Sequence, residues 1–288
     1  MKATILGCGP SSGVPTVAEG WGACDPENPR NRRLRPSILV ENGATTVLVD
    51  TSPDLRQQLL NTGTRHLDAV LYTHGHADHL HGIDDLRGVN RAMNAPLDVY
   101  GDAATLGDIK QRFEYTTTPL PPEADIYYKP VLNMHEIAAG DRIAVGDMEI
   151  LTFDQDHGYS RTLGYRFGPI GFSTDLLDLP DESFAALEGV TVWIIGTFSL
   201  TPHTTHAHVD KALEWIGRVK PQCAVLTHLG PSVHFYGLDD QCVAVPSASR
   251  IAKPRGSPFV PVGHILGVDH LEHGALFEQK SDVFVVLK

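Results

Sequence analysis

Short apolar runs recur along the chain of 288 residues, and most of them are rich in β-branched residues and end in polar ones. Runs of this length and composition predict β-strands. The predicted strands cover residues 3–6, 37–40, 46–49, 69–72, 98–100, 149–153, 164–167, 192–195 and 224–226. Apolar positions at helical spacing predict a helix over residues 53–60, with Ser52 as its N-cap, and a second helix over residues 209–219.

The order of these elements mixes pairs of strands with strand-then-helix units. This order favours a layered α/β architecture over an all-β sandwich or a helical bundle. Residues 7–35 are rich in Gly, Pro, Asn and Arg and predict a long loop, which in a compact domain is more often functional than idle. Residues 229–267 show no clear periodicity, and residues 281–287 predict an edge strand.

Composition and charge narrow the classes of function. Hydrophobic residues make up 42% of the chain and charged residues 20%, which predicts a globular protein with a substantial core. The formal net charge of −12 would repel the phosphates of a long RNA or DNA, and two bound divalent cations would leave it at −8. A local positive site for a small anion is compatible with this balance.

The N-terminus and the cysteines bear on the cellular compartment. No run of about 18 apolar residues predicts a membrane span, and the opening MKATILGCGP lacks the apolar core of a signal peptide. The four cysteines are scattered without a CxxC pair, which argues against a disulfide framework. We therefore expect a cytoplasmic protein with no membrane partner. The oligomeric state stays open, and a homodimer is one option.

One short segment concentrates side chains that bind metals. Residues 73–79 have the sequence THGHADH and follow directly on the predicted strand 69–72. Residues two apart on an extended backbone project to the same side, so His74 and His76 can share one cation. On a helix the same pair would diverge by roughly 200°. Asp78 and His79 are adjacent and must point differently, which suits a second cation beside the first.

Two metal ions need more donors than this segment holds. His157, Asp175 and His228 each follow an apolar run, and α/β enzymes often gather active groups in the loops at strand ends. The predicted ligands are His74, His76 and His157 on one ion, Asp78, His79 and His228 on the other, and Asp175 as a bridge. Two cations about 3.5 to 4 Å apart generate a hydroxide nucleophile at neutral pH, which predicts a hydrolase.

These residues resemble the metallo-β-lactamase superfamily. The resemblance rests on THGHADH, on His157 in DQDHG, on Asp175 in FSTD and on His228 in LTH, in the order that the family has them. It implies a four-layer αββα sandwich of the α/β class. It also implies a single metallo-hydrolase domain, which we expect over residues 1–288. The relatives finish sooner, so residues 229–288 are a C-terminal extension without an obvious match. The segments LGCGPSSGVP and DPENPRNRRLRPS are similar to the phosphodiesterase branch that contains phosphoribosyl cyclic phosphodiesterase, with ribonuclease Z more distant.

A second cluster of histidines, His203, His206 and His208, lies just ahead of the predicted helix 209–219. In the similar phosphodiesterases a histidine at the position of His206 faces the scissile phosphate. Free of metal, this imidazole could bind a phosphoryl oxygen or protonate the leaving alkoxide, and His208 could assist. The resemblance thus implies Asp78 and His206 as catalytic residues, and His206 and His208 as substrate-binding residues. Exposed histidines near a helix cap are the alternative.

The chain departs from its relatives in the region of an accessory zinc ion. Phosphoribosyl cyclic phosphodiesterase holds this ion with closely spaced cysteines, whereas Cys24 stands alone here and Pro231 occupies the position of a histidine. We therefore expect the accessory zinc to be absent. No role is predicted for four later histidines, His234, His264, His270 and His273.

A basic run precedes the second predicted strand and comprises Arg30, Arg32, Arg33 and Arg35. It could steer a phosphate, although solvated or salt-bridged charge is the commoner role of such a run. The nearby loop GCGPSSG has no Lys-Ser or Lys-Thr pair and is therefore not a P-loop. It predicts a turn at the rim of the active site.

The sequence favours one function and leaves two alternatives. The favoured function is hydrolysis of a small phosphodiester, a cyclic phosphate or nucleotide-like compound, with two divalent ions, zinc or manganese, as cofactors. The same metal site could instead hydrolyse a thioester, a lactam or a lipid ester, because fold does not fix function. A non-catalytic protein that binds a phosphate ester is the third reading.

Overall fold

Two β-sheets stacked face to face form the centre of the molecule, and helices cover their outer faces. The computed structural model describes residues 1–233 and the strands at 243–246, 276–278 and 284–287. Within this part of the chain, the first sheet contains β1 (Lys2–Gly7), β2 (Ser37–Asn42), β3 (Thr45–Val49), β4 (Ala69–Leu71), β5 (Leu97–Gly101), β6 (Leu132–Glu136), β14 (Leu276–Glu278) and β15 (Phe284–Leu287). Their order across the sheet is β14-β15-β1-β2-β3-β4-β5-β6, with β3 to β6 parallel.

The second sheet has an antiparallel half and a parallel centre. Its described strands are β7 (Arg142–Val145), β8 (Met148–Asp156), β9 (Arg161–Phe167), β10 (Ile170–Ser173), β11 (Val192–Gly196), β12 (Cys223–Thr227) and β13 (Val243–Pro246). They lie in the order β13-β12-β11-β10-β9-β8-β7, and β10, β11 and β12 are parallel. Parallel strands place their carboxyl ends at one edge of a sheet, which is where binding sites form in α/β folds.

Helices connect the strands and pack on both outer faces. The described α-helices are α1 (Leu55–Thr62), α2 (Ala77–Leu80), α3 (Leu86–Met93), α4 (Ala103–Arg112), α5 (Asp181–Ala186) and α6 (Val209–Val219). Buried residues of α1, α3 and α4 join the apolar layer outside the first sheet, and those of α5 and α6 join the layer outside the second. None of the helices in the described residues is long and apolar enough to cross a membrane.

Successive side chains of a strand point to opposite faces of its sheet and contribute to three apolar layers. Ile38 and Val40 of β2 are buried between the sheets, whereas Leu39 is buried on the helix side. In the same way Ile194 of β11 faces the first sheet and Trp193 packs with the helices of the second. Both faces of the central strands are thus apolar, which explains their continuous apolar runs. The predicted four-layer αββα sandwich is confirmed.

All nine predicted strands are confirmed, and α6 has the predicted bounds. The predicted start of α1 is wrong. This helix begins at Leu55 because the Ser52 hydroxyl accepts a hydrogen bond from the amide of Asp54 and thereby closes a turn before the first helical residue. The predicted edge position of the last strand is also wrong, since β15 lies between β1 and β14.

The structure describes only part of the predicted C-terminal extension, residues 229–288. The strands β13, β14 and β15 belong to the two sheets, so these pieces of residues 229–288 contribute to the sandwich. The histidines without a predicted role, His234, His264, His270 and His273, lie outside the described residues.

Candidate metal centre

The seven predicted metal ligands meet at one edge of the sandwich. His74 and His76 follow β4, and Asp78 and His79 lie in α2 just beyond them. The other three follow strands of the second sheet, with His157 after β8, Asp175 after β10 and His228 after β12. Residues separated by up to about 150 positions are therefore brought together because their strands end at the same edge.

The first cluster contains His74, His76, His157 and Asp175, whose donor atoms all lie within 4.8 Å of one another. Asp175 Oδ2 is 3.7 Å from His74 Nε2 and 3.6 Å from His157 Nε2. His76 is the exposed member of the cluster, and the other three are buried.

The second cluster contains Asp78, His79, Asp175 and His228, again with donor atoms within 4.8 Å. Asp175 Oδ1 is 3.2 Å from His79 Nε2 and 3.1 Å from His228 Nε2. Asp78 Oδ2 is 3.2 Å from His79 Nε2. Asp175 thus directs one carboxylate oxygen to each cluster and lies between them, in the position predicted for a bridging ligand.

The residues present fit divalent cations. Several buried atoms facing the clusters have no hydrogen-bond partner among the described residues: His74 Nε2, Asp78 Oδ2, His79 Nε2 and His228 Nε2. A buried polar atom without a partner is costly, and one cation in each cluster would satisfy all four. Imidazole nitrogens and carboxylate oxygens are also the donors that zinc and manganese accept.

Hydrogen bonds behind the clusters orient the imidazoles. His157 Nδ1 donates to the carbonyl oxygen of Thr205 at 2.7 Å, which leaves its Nε2 lone pair for a cation. His74 Nδ1 lies 3.0 Å from Thr73 Oγ1, and that hydroxyl donates onward to Asp50 Oδ2. These bonds fix the ring directions before any ion binds.

Asp50 is a functional residue that the sequence analysis missed. Its Oδ2 is 2.6 Å from His79 Nδ1, and its Oδ1 accepts a hydrogen bond from the amide of Thr73 at 2.8 Å. Asp50 is fully buried and supports two of the three imidazoles of HxHxDH, His79 directly and His74 through the hydroxyl of Thr73. The available signal was its place directly after the predicted strand 46–49.

Burial and charge set the protonation of the ligands differently in the two clusters. Burial lowers the pKa of His157 to about 4 and that of His74 well below its usual value, so both are neutral at pH 7. Burial also opposes protonation of His79, but the carboxylates of Asp175, Asp78 and Asp50 outweigh it and raise the pKa of His79 well above its usual value. The second cluster is therefore the half in which a positive charge is most favoured.

The backbone is strained at the strand ends of the site. Asp50, Asp175 and His228 have φ values of 64°, 49° and 56°, in the left-handed region that residues other than glycine rarely adopt. Such strain clusters at functional sites, where packing holds a side chain in a required direction. Here it turns each chain sharply out of its strand and aims the side chain at the clusters.

A cavity of about 300 Å³ opens onto the clusters. Its lining residues are Ser11, His76, Asp78, His157, Tyr159, Ser160, Asp175, Thr205 and His206. Ser11 comes from the loop GCGPSSG, which places that loop at the rim as predicted.

The structure brings His206 to the cavity but not His208. His206 belongs to neither cluster, yet its Nε2 lies 3.4 Å from Asp175 Oδ2 and its ring stacks on His228 with centroids 5.0 Å apart. His208 is the residue before α6, where its carbonyl accepts from the amide of Ala212, and it is not among the lining residues. Its predicted assistance in substrate binding therefore has no geometric support.

Comparison with known proteins places the chain in a family. Residues 45–229 match the sequence profile of the beta-lactamase superfamily domain. The chain belongs to this family. The predicted membership in the metallo-β-lactamase superfamily is thereby confirmed, and the fold agrees with it.

The chain is similar to three proteins with different names. A crystal structure of a diphosphatase from the PhnP family has a TM-score of 0.72 and 32% identity, and the match covers 80% of this chain and 87% of that one. An octanoyltransferase of Porphyromonas gingivalis is 33% identical over 80% of this chain, which spans only 46% of that relative's length. A ribonuclease Z of Mycobacterium bovis is 28% identical over 70% of this chain and 81% of its own.

The basic run has a structural role that differs in part from the prediction. Arg35 forms the expected ion pair, with Asp54 at 2.6 Å. Arg33, however, is buried, and its guanidinium donates to the carbonyls of Leu229, Gly230 and Val233. This residue ties the N-terminal loop to the segment that follows His228.

The Cys24 thiol lies in the same region. Its Sγ is 3.6 Å from the carbonyl oxygen of Pro231 and 3.7 Å from that of Val233. The amide of Ala23 also donates to the Pro231 carbonyl. Contacts to carbonyl oxygens thus join these two segments.

Proposed function

We propose that this protein is a dinuclear metal-dependent hydrolase that cleaves a small phosphodiester, such as a cyclic phosphate or a nucleotide-like compound. The observation that carries the proposal is the position of Asp175, which directs one oxygen to each of two ligand clusters in a cavity that also holds His206. Two cations on a shared carboxylate suit in-line displacement at phosphorus.

The first ion would be held by His74, His76, His157 and Asp175, and the second by Asp78, His79, Asp175 and His228. When bound, such ions activate water at neutral pH and neutralise charge that develops on phosphoryl oxygens. Zinc and manganese both suit this set of imidazoles and carboxylates, and affinity alone does not decide which one is used.

His206 would act as the general acid. Its Nδ1 is 2.8 Å from the hydroxyl of Thr205, and its Nε2 is the nitrogen on the Asp175 side of the ring. A proton on Nε2 can pass to the leaving oxygen as the phosphorus–oxygen bond breaks. Asp78, which also lines the cavity, would be a ligand of the second ion.

The size of the cavity and the net charge of the chain favour a small phosphate ester. A cavity of about 300 Å³ fits a small molecule. The net charge of −12 disfavours a long nucleic acid, which needs clustered basic residues for affinity. The similar diphosphatase and ribonuclease Z are both named for cleavage of phosphorus–oxygen bonds, which supports this class of substrate.

Acyl chemistry is the competing reading, because one relative is an octanoyltransferase. An eight-carbon chain needs an apolar channel, whereas none of the described residues that line the cavity is aliphatic, and Tyr159 is the one among them that is not a histidine, an acid or a small hydroxyl residue. This chain also spans less than half of that relative. Both observations favour the phosphodiester.

The test is turnover of bis(p-nitrophenyl) phosphate by protein loaded with zinc or manganese. We expect activity that depends on the metal and falls at least about 10³-fold in the double variant Asp78→Ala plus His79→Ala, which removes two ligands of one ion. The matched control is His135→Ala plus Asp98→Ala, an exposed His–Asp pair on the first sheet. Full turnover in a folded Asp78/His79 variant, or faster hydrolysis of an octanoyl thioester than of the phosphodiester, would contradict the proposal.

A further inference from the structure

Tyr159 combines a position at the cavity with almost complete exposure. It lines the cavity together with His157 and His206, and 91% of its surface is accessible to solvent. A single exposed aromatic residue on a protein surface needs no special explanation. An exposed ring beside two clusters of metal ligands does need an explanation, because a substrate held at the clusters would extend past this ring.

The backbone of Tyr159 is held in place although its ring is free. The residue lies in the tight turn between β8 and β9, where the amide of His157 donates to the carbonyl of Ser160 and the amide of Tyr159 donates to the carbonyl of His157. Gly158 has a φ of +81°, and a Cβ at that position would lie 2.9 Å from the carbonyl oxygen of Thr204. The metal-ligand residue His157 thus anchors the turn that presents the ring.

The charges around the Tyr159 ring bear on whether a substrate would extend from the clusters with additional phosphates or with a planar ring. None of the residues that the structure describes along the cavity wall is a lysine or an arginine. The guanidinium of Arg161, two residues further on, pairs with Asp154 and Asp156. Beyond the clusters the wall therefore offers a ring face and the hydroxyls of Ser11 and Ser160, rather than cations for additional phosphates.

We propose that Tyr159 selects the substrate by stacking on a planar ring, such as a nucleobase, that is attached to the phosphoryl group bound at the clusters. The inference rests on the proposed function and narrows its substrate class to phosphodiesters that carry a nucleoside. Bases and tyrosine rings stack regardless of base identity because every base has a π face. The ring therefore favours nucleosides as a class and does not select one base.

The kinetic test uses two substrates that share the leaving group p-nitrophenol. Thymidine 5′-(p-nitrophenyl phosphate) carries a base, and methyl p-nitrophenyl phosphate does not. We expect Tyr159→Ala to reduce the ratio of kcat/KM for the thymidine over the methyl compound about tenfold, through KM rather than kcat. Tyr159→Phe keeps the ring and should keep the ratio. Tyr128→Ala, an exposed tyrosine outside the cavity, is the matched control. An unchanged ratio in Tyr159→Ala, or an equal loss in Tyr159→Phe, overturns the proposal.

A binding measurement separates this inference from the proposed hydrolysis. Calorimetry on the metal-loaded protein compares thymidine 5′-monophosphate with methyl phosphate. Tighter binding of the nucleotide that disappears in Tyr159→Ala supports stacking even if no substrate is turned over, and then the proposed hydrolase alone fails. Equal binding of the two compounds by the unmodified protein overturns stacking whether or not the protein is a hydrolase.

Discussion

Replacement of Arg33 by methionine tests how the N-terminal loop supports the metal centre. Arg33 is 2% exposed, and its guanidinium donates from Nη1 to the carbonyls of Leu229 at 3.2 Å and Gly230 at 3.1 Å, and from Nη2 to that of Val233 at 2.7 Å. These carbonyls begin one residue after His228. Methionine keeps most of the aliphatic stem and removes every donor.

The magnitude follows from these bonds. A hydrogen bond to a charged group contributes about 1.5 to 3 kcal/mol, so three of them give an upper range of roughly 4.5 to 9 kcal/mol. The variant no longer has to bury a charge, which offsets part of this loss. We therefore expect the free energy of unfolding to fall by about 3 to 5 kcal/mol, a large share of the roughly 5 to 15 kcal/mol that is usual for a protein.

Urea denaturation followed by tryptophan fluorescence measures this change, in the presence of zinc and of a chelator. Zinc affinity should also weaken, about tenfold or more, because His228 loses the support of the carbonyl groups that follow it. Arg32→Met is the matched control, since Arg32 is exposed and its guanidinium lies over the ring of Trp21 at 5.1 Å, a contact worth about 0.5 to 1 kcal/mol. A loss below about 1 kcal/mol in Arg33→Met, or equal losses in the two variants, would refute the reasoning.

Three further changes test the metal centre and the core. Asparagine in place of Asp50 tolerates the left-handed backbone, but its NH₂ group would face a donor, either His79 Nδ1 or the Thr73 amide. Zinc affinity of Asp50→Asn, measured by competition titration, should therefore fall about 10- to 100-fold. Unchanged affinity would show that Asp50 does not orient His79. His206→Asn should slow cleavage of a diester with a poor alkoxide leaving group at least about 100-fold and slow the release of p-nitrophenol less. The metal content should not change. Equal slowing of both substrates would contradict the role of His206 as a general acid. Burial raises the pKa of Cys223 to about 11. At pH 8 iodoacetamide should therefore alkylate this thiol at less than about 1% of the rate of an unperturbed thiol, as followed by peptide mass spectrometry. Rapid labelling would contradict the burial argument.

The positions of the metal-cluster residues could be predicted because local geometry and strand order carry most of the information. His74 and His76 leave an extended backbone, where a spacing of two is sufficient to align their side chains. His157, Asp175 and His228 could be found because each follows an apolar run, and strands of one sheet end at common edges. The resemblance to a known superfamily supplied their order.

Three of the missed strands have apolar runs that are too short or too exposed to stand out. The strands β6 and β7 lie at the edges of their sheets, and most of their residues are partly or fully exposed. β10 has only four residues and follows a short turn after β9. Strand prediction from apolar runs therefore finds central strands and misses those at the edges or joined by short turns.

The supporting contacts could not be predicted for a different reason. Arg33 bonds to carbonyls about 200 residues later in the chain, and a backbone carbonyl has no signature in a sequence. Asp50 meets His79 at a separation of 29 residues, through a left-handed turn that is unusual for aspartate. Partners of this kind follow from the packed fold rather than from any local pattern.

The sandwich and the metal centre depend on each other at Gly196, the last residue of β11. A Cβ there would lie 3.2 Å from the Cα of Thr174 and 3.3 Å from the amide nitrogen of Asp175. These are tighter than usual carbon contacts, and they fall on backbone atoms that cannot rotate away. A side chain at this position would therefore require the backbone of Thr174 and Asp175 to shift by a few tenths of an ångström, at the point where Asp175 turns through its φ of 49°. The glycine at this position therefore lets β10 and β11 pack closely where the chain turns into Asp175, the residue shared by the two clusters.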